Sequence, residues 1–320
     1  MGYGRSRSCR CLRRDPSSQR PVLILASVDP QRETAQGLAY ALLAYGIWGF
    51  APIYFVWVSF AGPFEVLAYR VVWAIPCLLI LLTATRQWQA LFKIDNRERA
   101  FLLATGLCLI VNWCTFIWAV QSQRLAEASL GYFINPLINI VLGRLFLSER
   151  LRPLQALAVL LAMLGIGLEL AVLKTLPWVG LVLAFSFGFY GLLRKQVSVP
   201  SAVGLSVETS LLAPFAILFL VIHGSGGEVR SLVDLAKFSV GGVVSVVPLV
   251  LFAAAAIRLP LTTLGFAQYI APTISLMLAV FLYGEAVADQ RWVTFAMIWT
   301  ALALFSLEGL YQSRQKPRVA

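Results

Sequence analysis

The sequence predicts an all-α polytopic membrane protein: ten transmembrane helices in two inverted five-helix repeats. Three observations predict it: a composition poor in charge, ten apolar runs of membrane length, and an internal repeat whose unit holds an odd number of spans. Charged residues make up 13% of the 320-residue chain and hydrophobic residues 59%, with a mean hydropathy of +0.80. A soluble domain carries about 25% charge. The composition excludes an ordinary soluble enzyme, a disordered chain and a coiled coil.

A helical span needs about 20 mostly apolar residues. The runs that qualify are 37–58, 64–83, 100–120, 127–147, 153–173, 178–193, 205–222, 239–257, 261–283 and 292–310. They are continuous and lack the alternation of β-barrel strands. Connections between them reach at most about 16 residues, which leaves no soluble domain. The chain divides into a basic tail (1–36), a first five-helix repeat (37–173), a second (178–310) and a short basic tail (311–320). The Arg- and Ser-rich start has no apolar stretch beside its charges, so it is not a secretory signal. It reads as a disordered tail or an upstream start codon, with a presequence as the weaker alternative.

Net charge is +11, from 26 Lys+Arg against 15 Asp+Glu. With a cytoplasmic N-terminus, 19 basic residues fall on the inner side and five on the outer, while Arg70 and Arg144 lie inside spans. The positive-inside rule therefore puts both termini in the cytoplasm. The basic excess marks cytoplasmic loops, and no nucleic-acid partner is expected. Apolar outer faces serve lipid and protein equally, so a homodimer stays open.

The repeat is seen at near-constant offsets. Pro136 lies 13 residues before Glu149, and Pro272 lies 13 before Glu285, an offset of 136. At that offset Leu142 meets Leu278, Phe146 meets Leu282 and Phe116 meets Phe252. Gly46-Ile47-Trp48-Gly49 answers Gly188-Phe189-Tyr190-Gly191 at 142, and Pro76 answers Pro214 at 138. Five spans per copy insert the second upside-down, the architecture of many secondary transporters.

Two charges stand at membrane depth, where an ionised group is costly and faces a cavity or a partner. Arg70 and Glu208 each precede a proline by six residues, which makes them repeat mates. Arg70 would hold an anionic group, and Glu208 would take a proton or a cation. The blander reading is that both snorkel to an interface. In span 4, Tyr132, Asn135 and Asn139 share a helix face, beside the helix-breaking Pro136. Span 9 answers with Gln268, Tyr269 and Ser275 around Pro272. Paired helix breaks point to a midplane binding site, against the alternative that the amides are helix–helix glue. Asn112 and Trp113 add an amide and an aromatic wall, and the repeat-related Trp48 and Tyr190 are flanked by glycines that permit close helix approach.

Metal and covalent chemistry are poorly supplied. His223 is the lone histidine, and it reads as a loop residue. Of the five cysteines, Cys9 and Cys11 lie in the tail and Cys77, Cys108 and Cys114 in apolar runs, which argues against both a clustered zinc site and a disulfide framework. No phosphate loop, nucleophile elbow or catalytic carboxylate pair is present. Neither cofactor nor catalytic residue is expected. A membrane-embedded lipid-modifying enzyme would need acidic or histidine groups converging at one interface, and a sensor would need a signalling domain.

The segments GLAYALLAYGIWGFAPIYF (37–55), EASLGYFINPLINIVLG (127–143), LAFSFGFYGLLRK (183–195) and TTLGFAQYIAPT (262–273) resemble the RarD-type EamA permeases of the drug/metabolite transporter superfamily. The resemblance spans about 35–310. It implies ten helices in two inverted repeats, a bacterial inner (cell) membrane location, and export or exchange of small organic solutes. Val56 and Tyr69 stand where the family pattern has a lysine and a histidine.

Overall fold

The structure, a computed structural model, describes residues 10–13, 22–25, 30–122, 124–173, 177–223, 230–284 and 286–315. Two short strands, β1 (Arg10–Arg13) and β2 (Val22–Leu25), pair antiparallel with Arg10 opposite Leu25, where the sequence had suggested a tail without structure. The rest is helical: α1 (Pro30–Trp57), α2 (Pro63–Ala84), the single turn α3 (Trp88–Phe92), α4 (Asn96–Gln121), α5 (Leu125–Leu147), α6 (Pro153–Leu173), α7 (Trp178–Arg194), α8 (Ser201–His223), α9 (Leu232–Ala256), α10 (Leu261–Gln268), α11 (Ile270–Met277) and α12 (Asp289–Gln315). Among the described residues, nine helical stretches are long and apolar enough to cross a membrane. The tenth predicted span is α7, a shorter apolar helix of 17 residues.

Local chemistry sets the ends. Pro63 opens α2, where its missing N–H costs nothing. Ser231 caps α9 by accepting from the Asp234 N–H, as a helix N-terminus requires. After α5 the chain turns through Ser148 at φ 54°, and after the π-turn Leu278–Leu282 it turns through Gly284 at φ 65°. These two left-handed residues are 136 apart, and each precedes a glutamate. Glu285 lies outside the described residues.

Polar contacts sort the helix ends onto two faces. On one face Glu33, at the start of α1, pairs with Arg258 after α9 at 3.1 Å, and Arg152 before α6 pairs with Glu308 of α12 at 3.6 Å. There too Lys195 after α7 donates to the carbonyls of Ala256 and Leu259, and Ser198 before α8 donates to Glu98 of α4. On the other face Arg230 grips Glu65 of α2 through two bonds of 2.7 and 2.8 Å. Arg291 of α12 reaches Glu169 of α6 at 3.9 Å, and Trp118 of α4 meets Trp178 of α7. So α1 starts and α12 ends at the same face.

Helix packing follows a pattern of exchange. α4 packs on α7 as α1 packs on α9, and α5 packs on α7 as α1 packs on α10 and α11. α2 packs on α8, α6 on α12, and α5 on α10. Tyr269 donates to the carbonyl of Phe133, its own counterpart at the offset of 136. The main buried cluster gathers Tyr45, Tyr190, Phe252, Leu259, Leu261 and their neighbours from helices of both halves.

Candidate functional site

Arg70 is the eighth residue of α2 and Tyr132 the eighth of α5. Both helices start at the same face, so both side chains leave the backbone about 11 Å below it. Trp113 stands eight residues before the end of α4, at a similar depth. α2 packs on α8 and α9, while α5 packs on α6, α7 and α10. Yet Tyr132 comes within electrostatic reach of Arg70 and keeps 50% of its surface exposed. Arg70 is part-buried and Tyr132 exposed.

Arg70 is held from behind. Its Nε donates to Ser245 Oγ at 2.9 Å, and that hydroxyl donates to the Gly241 carbonyl. Gly241 lies against both the Arg70 side chain and the Tyr54 hydroxyl, and a Cβ there would strike them. The guanidinium lies 5.4 Å from the centre of the Phe55 ring and 5.7 Å from Trp113, within cation–π range. Among the described residues it makes no ion pair. A void of about 10 Å³ beneath it, lined by Arg70, Trp113, Thr209 and Ser245 among others, has room for about one water. A larger groove of about 690 Å³ between α2 and α8 has no charged lining.

Most of the amides and tyrosines singled out from the sequence lie elsewhere, in the packed floor. Asn112 donates to the Leu183 carbonyl and to Ser186 Oγ, joining α4 to α7. Asn139 donates to Gln268 at 3.1 Å, joining α5 to α10. Ser275 donates to the Gly49 carbonyl. Tyr190 and Tyr269 are fully buried, and Trp48 sits in a ring cluster with Tyr45, Phe187 and Phe252. Asn135 is buried, and its amide oxygen has no hydrogen-bond partner among the described residues. Of the two glycine pairs, Gly49 and Gly188 admit Ile274 and Ile138 closely, but nothing approaches Gly46. Tyr69, at the departing family position, stacks on Phe238, and Val56 is exposed.

The helix breaks also differ from expectation. α5 runs unbroken through Pro136, as other helices do through Pro52, Pro76, Pro214 and Pro248. The interruption in span 9 falls at Tyr269, three residues before Pro272. There the Tyr269 N–H bonds the Phe266 carbonyl in a tighter turn. Pro272 has no N–H to give Gln268, whose carbonyl is the one a regular helix would have satisfied.

The far face is sealed by charge. Glu208 is fully buried; its Oε1 accepts from Thr105 at 2.6 Å and lies 3.5 Å from Arg194 Nη1, and its Oε2 accepts from Tyr190 at 3.3 Å. Arg194 is 2% exposed and fits because Gly204 has no side chain to displace it. Arg194, one of the basic residues counted on the inner side, is the ion-pair partner of Glu208. Glu208 is the eighth residue of α8, as Arg70 is of α2. Thr105 stands beside it where Gly241, 136 residues on, stands beside Arg70. Nearby, Glu149 accepts from the Leu261 N–H, the Thr262 N–H and the Thr262 hydroxyl at 2.7–2.9 Å. A residue that sequence reading placed merely at a helix end thus caps α10, where a negative charge complements exposed N–H groups and the helix dipole. Among the described residues no group of three His, Cys, Asp or Glu could hold a metal ion, and Cys77, Cys108 and Cys114 are free thiols.

The long apolar helices are those of a multi-pass membrane protein, and residues 35–170 match the EamA-like transporter family. The chain belongs, more narrowly, to the RarD group of that family. It is 44% identical to "Protein RarD" of Escherichia coli (strain K12), covering 89% of this chain and 98% of that one. It is 39% identical to the "Uncharacterized transporter YojE" of Bacillus subtilis (strain 168), over 88% and 97%. It is 32% identical to the "Chloramphenicol-sensitive protein RarD" of Pseudomonas aeruginosa, over 90% and 99%. A solved structure titled "Crystal structure of protein" superposes with a TM-score of 0.70 at 16% identity, over 87% of this chain and 98% of that one, a likeness of fold.

Proposed function

We propose that this protein is a secondary carrier of small organic solutes working by alternating access, with its solute space between Arg70, Trp113 and Tyr132. One observation carries the reading: Arg70 stands part-buried and without an ion-pair partner among the described residues toward one face, while the other face holds the Glu149 cap, the Arg194–Glu208 pair and the Arg258–Glu33 pair. That is the expected form of a carrier resting in one of its two states. The charge bias along the sequence supports cytoplasmic termini, and so an opening toward the outside. The exchange pattern of helix packing supports two inverted repeats, 37–173 and 178–310. Rocking one against the other would close the space at Arg70 and open its counterpart at Glu208. The sequence has no nucleotide-binding loop, so the driving energy is a gradient.

Glu208 suits proton coupling. While ionised it is held by Arg194, Thr105 and Tyr190. Adding a proton removes the charge that Arg194 faces and loosens the sealed face. Glu208→Gln is expected to abolish uphill transport driven by a pH gradient and to spare exchange; uphill transport retained in this variant would remove Glu208 from the coupling.

The carrier reading is tested by comparing the metabolites of cells with and without the protein, then measuring flux of the leading solute in proteoliposomes. Trp113→Ala and Tyr132→Ala are each expected to lower that flux at least about tenfold, the effect of about 1.4 kcal/mol. Flux untouched by both would remove the cavity from the pathway. Covalent turnover of a lipid by the purified protein would favour an enzyme instead.

A further inference from the structure

Arg70, part-buried at membrane depth, presents a positive charge with no counter-charge among the described residues. Arg70 uses its Nε on Ser245, which leaves the two terminal nitrogens of its planar fork. Such a fork matches a carboxylate through two parallel bonds. Its charged neighbours are accounted for. The groups in electrostatic reach are the tyrosines 54 and 132, and no carboxylate pairs with it among the described residues. Of the described acidic groups toward the same face, Glu65 is engaged by Arg230, Glu127 by Arg124, Glu169 by Arg291 and Asp234 by Lys237, and Asp289 opens α12, which packs on α6. The guanidinium is flanked by the aromatic rings of Phe55 and Trp113. A charge at this depth calls for a partner. Flat aromatic walls favour a flat apolar body beside it.

We propose that the solute is an organic monoanion, a carboxylate on a flat apolar body with no compensating ammonium group, its carboxylate taken by the free fork of Arg70. An ammonium would meet like charge and find no acidic partner in the cavity, so zwitterions and cations are rejected. The inference rests on the carrier reading of the same cavity and narrows its substrate.

The test is equilibrium binding to the purified full-length protein. The probes are phenylacetate, its neutral isostere phenylacetamide, the cation phenethylamine and the zwitterion phenylalanine, with chloride as competitor. The unaltered protein is expected to bind phenylacetate at least about tenfold more tightly than any of the other three organic probes. Arg70→Gln should erase that preference, and Arg70→Lys should restore part of it. Equal binding of the amide, the amine or the zwitterion would overturn the proposal, as would failure of phenylacetate to bind. Chloride displacing phenylacetate at equal concentration would also overturn it, by showing a simple inorganic anion site. Because the preference is read first on the unaltered protein, a variant that fails to fold leaves the test intact. Counterflow of phenylacetate in proteoliposomes separates the two readings. Binding preference without counterflow counts against the carrier alone; counterflow of the amine or amide without that preference counts against the anion alone.

Discussion

Arg194 and Glu208 show how one side chain can be visible in a sequence while its partner is hidden. A carboxylate inside an apolar run stands out because no membrane helix carries one without reason. An arginine followed by a lysine at a helix end looks like every other interfacial anchor. Only the turn into α8, with Gly204 leaving space, brings the guanidinium inward. The amides mislead in the opposite direction. Asn112, Asn139 and Gln268 looked like a binding surface, but Asn112 donates to the Leu183 carbonyl and Ser186, and Asn139 donates to Gln268, across helix contacts. Periodicity tells which face of a helix a residue occupies and not what stands opposite. Two outcomes follow at this scale. Replacing either member of the Arg194–Glu208 pair alone leaves a buried charge unpaired and is expected to cost about 3–5 kcal/mol. Arg194→Met with Glu208→Leu should cost clearly less than the sum of the single changes, as unfolding of all three variants in detergent would reveal. Gln268→Leu should cost only about 0.6 kcal/mol, the usual worth of a hydrogen bond between membrane helices.

Glu149 caps a helix that belongs to the other half of the chain. Three hydrogen bonds converge on one carboxylate at the start of α10, and a helix N-terminus has few other partners for its N–H groups. Glu149→Ala is expected to lower stability by about 1–2 kcal/mol, the range for a lost cap. It should also raise water access to the sealed face, read as faster hydrogen exchange at Leu261 and Thr262 than in the parent. Unchanged exchange there would mean that the cap does not hold the seal. The spans themselves were legible, because hydropathy over about 20 residues measures the quantity a bilayer selects. The break in span 9 was legible only approximately. Proline removes a donor wherever it stands, yet five other helices absorb theirs. What distinguishes the α10–α11 junction is tertiary, since Gly265 lets α10 settle against the Pro136 carbonyl of α5.

The whole molecule is a helical membrane fold of the RarD group, with the Glu149 cap and the buried Arg194–Glu208 pair toward one end and the unpaired Arg70 toward the other. The offset of 136 read from the sequence recurs in the structure at the left-handed residues Ser148 and Gly284. The surroundings of Arg70 and Glu208 were not legible, because they depend on residues of distant helices, Gly241 beside one and Thr105 beside the other. The most direct test of a single, one-sided cavity uses one cysteine at a time, introduced after the native cysteines are replaced, and a membrane-impermeant maleimide applied from either side of sealed vesicles. Tyr132→Cys is expected to react from one side only, the side opposite the chain termini, while Asn139→Cys, about 10 Å deeper, reacts slowly or not at all from that side. Labelling of Tyr132→Cys from neither side, or equally from both, would contradict the account.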